Sequence, residues 1–94
     1  MSFDTSLLLR GLEEYRTALE MHKHVVAQEY AQLNDRWHAF ERVYEGDAAR
    51  EFKSHWLRTQ QRFEDYIEAA RKIGIVLNER IDALERVNRE GDLR

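Results

Sequence analysis

Apolar residues recur every three or four positions along almost the whole chain. In the first half the series is Leu8, Leu12, Tyr15, Leu19, His22, Val26, Tyr30, Leu33, Trp37, Phe40 and Tyr44. In the second it is Ala49, Phe52, Trp56, Thr59, Phe63, Tyr66, Ala70, Ile73, Leu77, Ile81, Leu84 and Val87. Nearly unbroken alternation of threes and fours keeps one stripe of a helix facing a partner, so each half is expected to be a long helix with a coiled-coil-like seam. Strands would need period-two alternation between turn clusters, and that pattern is missing.

The strongest punctuation is Tyr44-Glu45-Gly46-Asp47. Gly46 can take the left-handed conformation that ends a helix, and Asp47 can cap the next. Ala48 and Ala49 then favour helix, and Asp4 is placed to cap the first helix. These signals predict one helical-hairpin domain over residues 1–94, with a helix over about 5–43, a turn at 44–46, a helix over about 47–89 and a short C-terminal tail. A connection this short makes the helices antiparallel. Folding near residue 45 sets Trp37 against Phe52, Leu33 against Trp56, Val26 against Phe63, and Tyr15 against Ile73 and Gly74. Gly74 then has two readings. It admits the Tyr15 ring, or it faces solvent at a cost of ~1 kcal/mol against alanine.

A second apolar set lies beside each seam. Leu7, Ala18, Met21 and Val25 flank the first, and Leu57, Ile67, Ile75 and Val76 flank the second. One seam per helix is enough for a hairpin, so the widened stripes fit a four-helix bundle made by two hairpins. The alternative is a broad single seam with scattered exposed apolar residues. Size favours the bundle. A fold of 94 residues makes one small domain, and small domains draw extra stability from disulfides, metals or oligomerisation. Cysteine is absent, which removes disulfides and thiolate metal sites. The expected fold is therefore all-α: an antiparallel two-helix hairpin, dimerising into a four-helix bundle. Leu7, Met21, Val25, Leu57, Ile67, Ile75 and Val76 are the candidate partner-binding face, for a second copy or a related helical hairpin.

Charge narrows the partners. Residues 1–46 hold eight acids and five bases, and residues 47–94 hold ten of each, for a net charge of −3. No basic stripe suited to phosphate binding results, so nucleic acid is not an expected partner. No apolar run approaches the ~20 residues of a membrane span. Leu7-Leu8-Leu9 is too short for the apolar region of a signal peptide, so any export is expected to proceed without a cleaved signal. Glu68–Lys72, Asp82–Arg86 and Glu85–Arg89 are i, i+4 pairs in the favourable order, each worth ~0.2–0.5 kcal/mol, and they mark a solvated face.

Candidate chemistry is sparse. Of four histidines, His22 falls on the apolar seam, where a hydrogen-bonded buried histidine is the commoner outcome. Glu51 and His55 are four apart and able to touch one ion, but the Glu-x-x-His spacing of carboxylate-bridged helical sites is absent. No glycine-rich phosphate loop occurs. The aromatics fall on the seam and do not interleave with bases, as a nucleic-acid stacking platform would require. No catalytic residue, metal site or cofactor is expected, and the chain is not read as an enzyme.

The stretch from Trp37 through Tyr44-Glu-Gly46 to Phe52 and Trp56 is the most distinctive. An aromatic residue, any residue and a glycine join two helices in mid-chain, and alanines and two aromatics at helical spacing follow. This resembles the WXG superfamily, the ESAT-like small substrates of type VII secretion systems, over almost the whole length of the chain. Gly46 matches the family glycine and Tyr44 stands at the tryptophan position, so the two form the turn motif. The resemblance implies a secreted, dimeric hairpin that meets secretion machinery or a larger effector, exported without a cleaved signal peptide. The family's Tyr-x-x-x-Asp/Glu tail motif is not present, since no tyrosine has an acid four residues later. That departure supports an alternative, a cytoplasmic helical adaptor or chaperone for a larger effector protein.

Overall fold

The computed structural model describes residues 4–92, which form two long helices and, among those residues, no strand: α1 (Thr5–Glu41) and α2 (Asp47–Asp92). Each boundary has a local cause. The backbone N–H of Leu7 donates to the Asp4 carboxylate at 3.1 Å, and that of Leu8 donates to the Asp4 carbonyl at 3.2 Å. Asp4 is thus the N-cap of α1, satisfying donors that the first turn leaves without partners. At the other end Val43 N–H donates to the Phe40 carbonyl at 3.1 Å. This tighter i+3 closure ends α1 at Glu41, two residues before the expected limit. The expected limit of α2 is residue 89, whereas the helix continues to Asp92.

Gly46 has φ +100°, the left-handed region that glycine enters without penalty. Its carbonyl accepts from Arg50 N–H at 3.1 Å, so Gly46 itself holds the cap position of α2. Asp47 is not the cap, contrary to expectation. It lies in the first turn, where its carboxylate faces the positive end of the helix dipole and pairs with Arg50.

The chain divides into two compact units, each an antiparallel pairing of the same two helices. The turn unit is Lys23–Ala69, and the terminal unit combines Met1–His22 with Ala70–Arg94. In the turn unit Trp37 and Trp56 are buried. Trp37 lies 5.1 Å from Phe52, ring centre to ring centre, and Tyr30 stacks on Phe63 at 5.4 Å with the rings 4° from parallel. The Trp37–Phe52 pair agrees with the sequence pattern. Tyr30, however, takes the place opposite Phe63 that the pattern gives to Val26, one helical turn away. In the terminal unit Ala70, Leu77 and Ile81 are buried from α2, with Ile81 the most enclosed.

The inward stripes differ from the expected seams in one systematic way. On α1 the less exposed positions are Thr5, Leu9, Leu12, Glu13, Arg16, Leu19, Lys23, Val26, Ala27, Tyr30, Asn34 and Trp37. Leu8, Tyr15, His22, Leu33 and Phe40, expected to be inside, are exposed. On α2 the inward positions include Trp56, Gln60, Phe63, Ile67, Ala70, Gly74, Leu77, Ile81, Leu84 and Asn88, while Phe52, Thr59, Ile73 and Val87 are exposed. On α2 one seven-spaced row of the expected seam stays inward and the other is largely replaced by its neighbour, whereas on α1 both expected rows lose members to the outside. Several polar residues of the inward rows meet partners across the pair, among them Thr5, Arg16, Gln60 and Asn88.

Candidate protein-interaction surface

Three sets of contacts tie the inward polar residues together. Thr5 Oγ1 donates to Asn88 Oδ1 at 2.6 Å, and Arg16 Nη1 donates to Asn78 Oδ1 at 2.9 Å. Tyr30 Oη accepts from Gln60 Nε2 at 2.7 Å and donates to Glu64 Oε1 at 3.2 Å. No polar or charged side chain is fully buried among the described residues. These bonds therefore sit at the margins of the seam, where the stems of Arg16 and Lys23 can cover apolar surface and keep their charged ends wet. Gly74 is buried rather than solvent-facing. A Cβ at that position would meet Glu20 Oε1 at 3.6 Å. The residue that passes over Gly74 is thus Glu20, not Tyr15, which is 55% exposed.

Turning these rows inward leaves apolar side chains outside. In the turn unit Leu33, Phe40, Phe52 and Leu57 are exposed, and Val43 is 79% exposed. Leu33, Phe40 and Phe52 join Trp37, Trp56 and Arg36 to line an apolar groove of about 230 Å³. Arg36 is the only charged side chain in that lining. At the corner Tyr44 is half-buried, and its ring stacks on Phe40 at 4.6 Å. The aromatic of the turn motif thus continues the row Phe52–Trp37–Phe40 to the end of the unit.

In the terminal unit Leu7, Leu8, Gly11 and Leu12 line a shallow groove beside Asp4. Leu7 and Met21 are the most exposed there, at 64% and 66%. On α2 Gly74 and Leu77 point inward, and the 100° step between successive residues separates their neighbours. Ile75 therefore lies on one flank of the seam, and Ile73 and Val76 on the other.

Of the seven candidate partner-face residues, Leu7, Met21, Val25, Leu57, Ile75 and Val76 are exposed. Ile67 is half-buried in the inward row of α2 and is less available to a partner. Leu33, Phe40, Phe52 and Ile73, which the sequence pattern assigns to the hairpin's own seam, join the outward set. The signal that could have placed them is the seven-residue row Gln60, Ile67, Gly74, Ile81 and Asn88.

Two histidine–carboxylate pairs, one of them the Glu51–His55 pair of the sequence pattern, lie on exposed side chains. His55 Nε2 is 4.0 Å from Glu51 Oε1, and His38 Nδ1 is 3.9 Å from Glu41 Oε1, all on exposed side chains. Among the described residues no three potential ligands gather in one place. No helix of the described residues is long and apolar enough to cross a membrane. No family model, curated protein or solved structure matches the chain.

Proposed function

We propose that this chain is a protein-interaction module that works by dimerising through its outward apolar stripes, as the small hairpins of type VII-like secretion systems do. The observation that carries the reading is the imbalance between inside and outside. Among the described residues six apolar side chains are buried, whereas fourteen large apolar ones are exposed. A second copy is the favoured occupant, since two identical apolar faces can cover one another in a closed twofold arrangement. The pairing would complete a four-helix bundle, with Leu7, Met21, Val25, Leu33, Phe40 and Val76 among the residues brought out of water.

The turn motif and the placement of the aromatics support the family resemblance, and with it a role in secretion as substrate or partner. No step of chemistry is assigned to the protein. The absent Tyr-x-x-x-Asp/Glu motif favours a second reading, an adaptor or chaperone that covers the same surface with a larger effector protein. Fractionating cells that carry an active secretion locus separates the two. Recovery of the protein outside the cell supports the first reading, and recovery only in the cytosol, bound to a larger protein, supports the second.

A further inference from the structure

Two apolar patches of this chain each include a single charged side chain, and the two charges are opposite. In the turn unit the groove of Leu33, Trp37, Phe40, Phe52 and Trp56 includes Arg36. In the terminal unit the patch of Leu7, Leu8, Gly11 and Leu12 includes Asp4. Arg36 makes no ion pair among the described residues. The Asp4 carboxylate accepts from Leu7 N–H and likewise has no ion pair among them. A charge that borders apolar surface loses water when that surface is covered, so an occupant of either patch gains by bringing the opposite sign.

α1 carries both charges: Asp4 caps its start, and Arg36 lies in its last two turns. By the helical period of the sequence, counted at ~100° per residue, Asp4, Leu8, Leu33 and Phe40 share a phase to within ~40°. Two copies can lay α1 on α1 in two ways. In a parallel twofold pair Arg36 faces Arg36 and Asp4 faces Asp4, and like charges oppose the pairing. In an antiparallel pair Asp4 of each copy lies beside Arg36 of the other. Leu7 of one copy then comes level with Leu33 of the other, so leucines meet the aromatic groove at both ends. One axis relates the two contacts, and they form together.

We propose that the aromatic groove around Arg36 seats the Asp4–Leu7–Leu8 end of a second copy, in a reciprocal antiparallel pairing of the two α1 helices. The proposal rests on the reading that a second copy covers the outward stripes, and it adds which segment occupies which site.

The test is a double-mutant cycle on association, read by sedimentation equilibrium at low ionic strength, where screening is weakest. Asparagine caps a helix as well as aspartate does, so Asp4→Asn removes the charge and keeps the start of α1 capped. Both Asp4 and Arg36 are exposed, and helix content should stay unchanged. In the native chain Asp4→Asn is expected to raise the dimer dissociation constant about threefold and Arg36→Glu about tenfold, the scale of two exposed ion pairs lost or reversed. In the Arg36→Glu background the sign inverts, because Asp4→Asn there removes a repulsion and tightens the dimer about threefold. An effect of Asp4→Asn with the same sign and size in both backgrounds would overturn this pairing and leave the dimer itself standing. A native chain that stays monomeric throughout would overturn both, and would leave the groove to a partner other than this chain.

Discussion

Gly46 and Gly11 occupy two different physical situations, and substitution should separate them. Gly46 sits at φ +100°, and a Cβ on it would meet nothing within 4 Å. Space is not the constraint there; the backbone conformation is. Gly46→Ala should lower stability by roughly 1–2 kcal/mol, the cost of a left-handed residue with a side chain, measured as a fall in the urea midpoint. Gly11 lies inside α1 in open space at ordinary helical φ. Gly11→Ala should raise stability by ~0.5–1 kcal/mol in the same assay, through helix propensity alone. A stabilising Gly46→Ala would contradict a left-handed glycine at the corner. Asp4 is a third point where one side chain decides a local structure. Losing its bond to Leu7 N–H by Asp4→Ala should cost ~1 kcal/mol, with faster amide exchange confined to the first turn of α1.

Within the helices, the question is which rows face inward. The row Ala49, Trp56, Phe63, Ala70, Leu77 and Leu84 is legible because every member is apolar or small and the spacing is seven. The second inward row of α2, Gln60, Ile67, Gly74, Ile81 and Asn88, has the same spacing but carries an amide at each end and a glycine in the middle. Hydrophobicity therefore favours its more apolar neighbour, Phe52, Thr59, Tyr66, Ile73 and Val87. Apolar periodicity cannot see that Asn88 finds Thr5, or that Gln60 finds Tyr30. Those partners lie on the other helix, and only the register reveals them. The corner is readable from a single glycine, while the cap residue is not, because Asp47 carries the stronger N-cap signal of the two and Gly46 holds the position. Trp56 tests the row assignment. Its burial in the turn unit implies that Trp56→Ala costs on the order of 3–5 kcal/mol. A loss of less than about 1 kcal/mol on urea titration, well below the usual cost of emptying a tryptophan site, would place the seam on another face.

At the scale of the whole molecule, the deciding quantity is the balance between apolar surface hidden and apolar surface left in water. A helix pair whose inward rows include Thr5, Arg16, Lys23, Gln60, Asn34 and Asn88 gains little from its own seam. Much of its stability must then come from covering the outward rows, and stability becomes linked to concentration. Charge placed on an outward row should break association while leaving helix: Met21→Lys with Val76→Lys is expected to halve the mass in solution, with the far-ultraviolet spectrum of the helices retained.

Light scattering coupled to size exclusion, over a dilution series through the micromolar range, bears most directly on this balance. The expected mass is about twice the 11.3 kDa of one chain, with a thermal midpoint that falls on dilution. A stable, fully helical species at the mass of a single chain, with a midpoint independent of concentration, would contradict the claim that the outward stripes are made to be covered by a second copy.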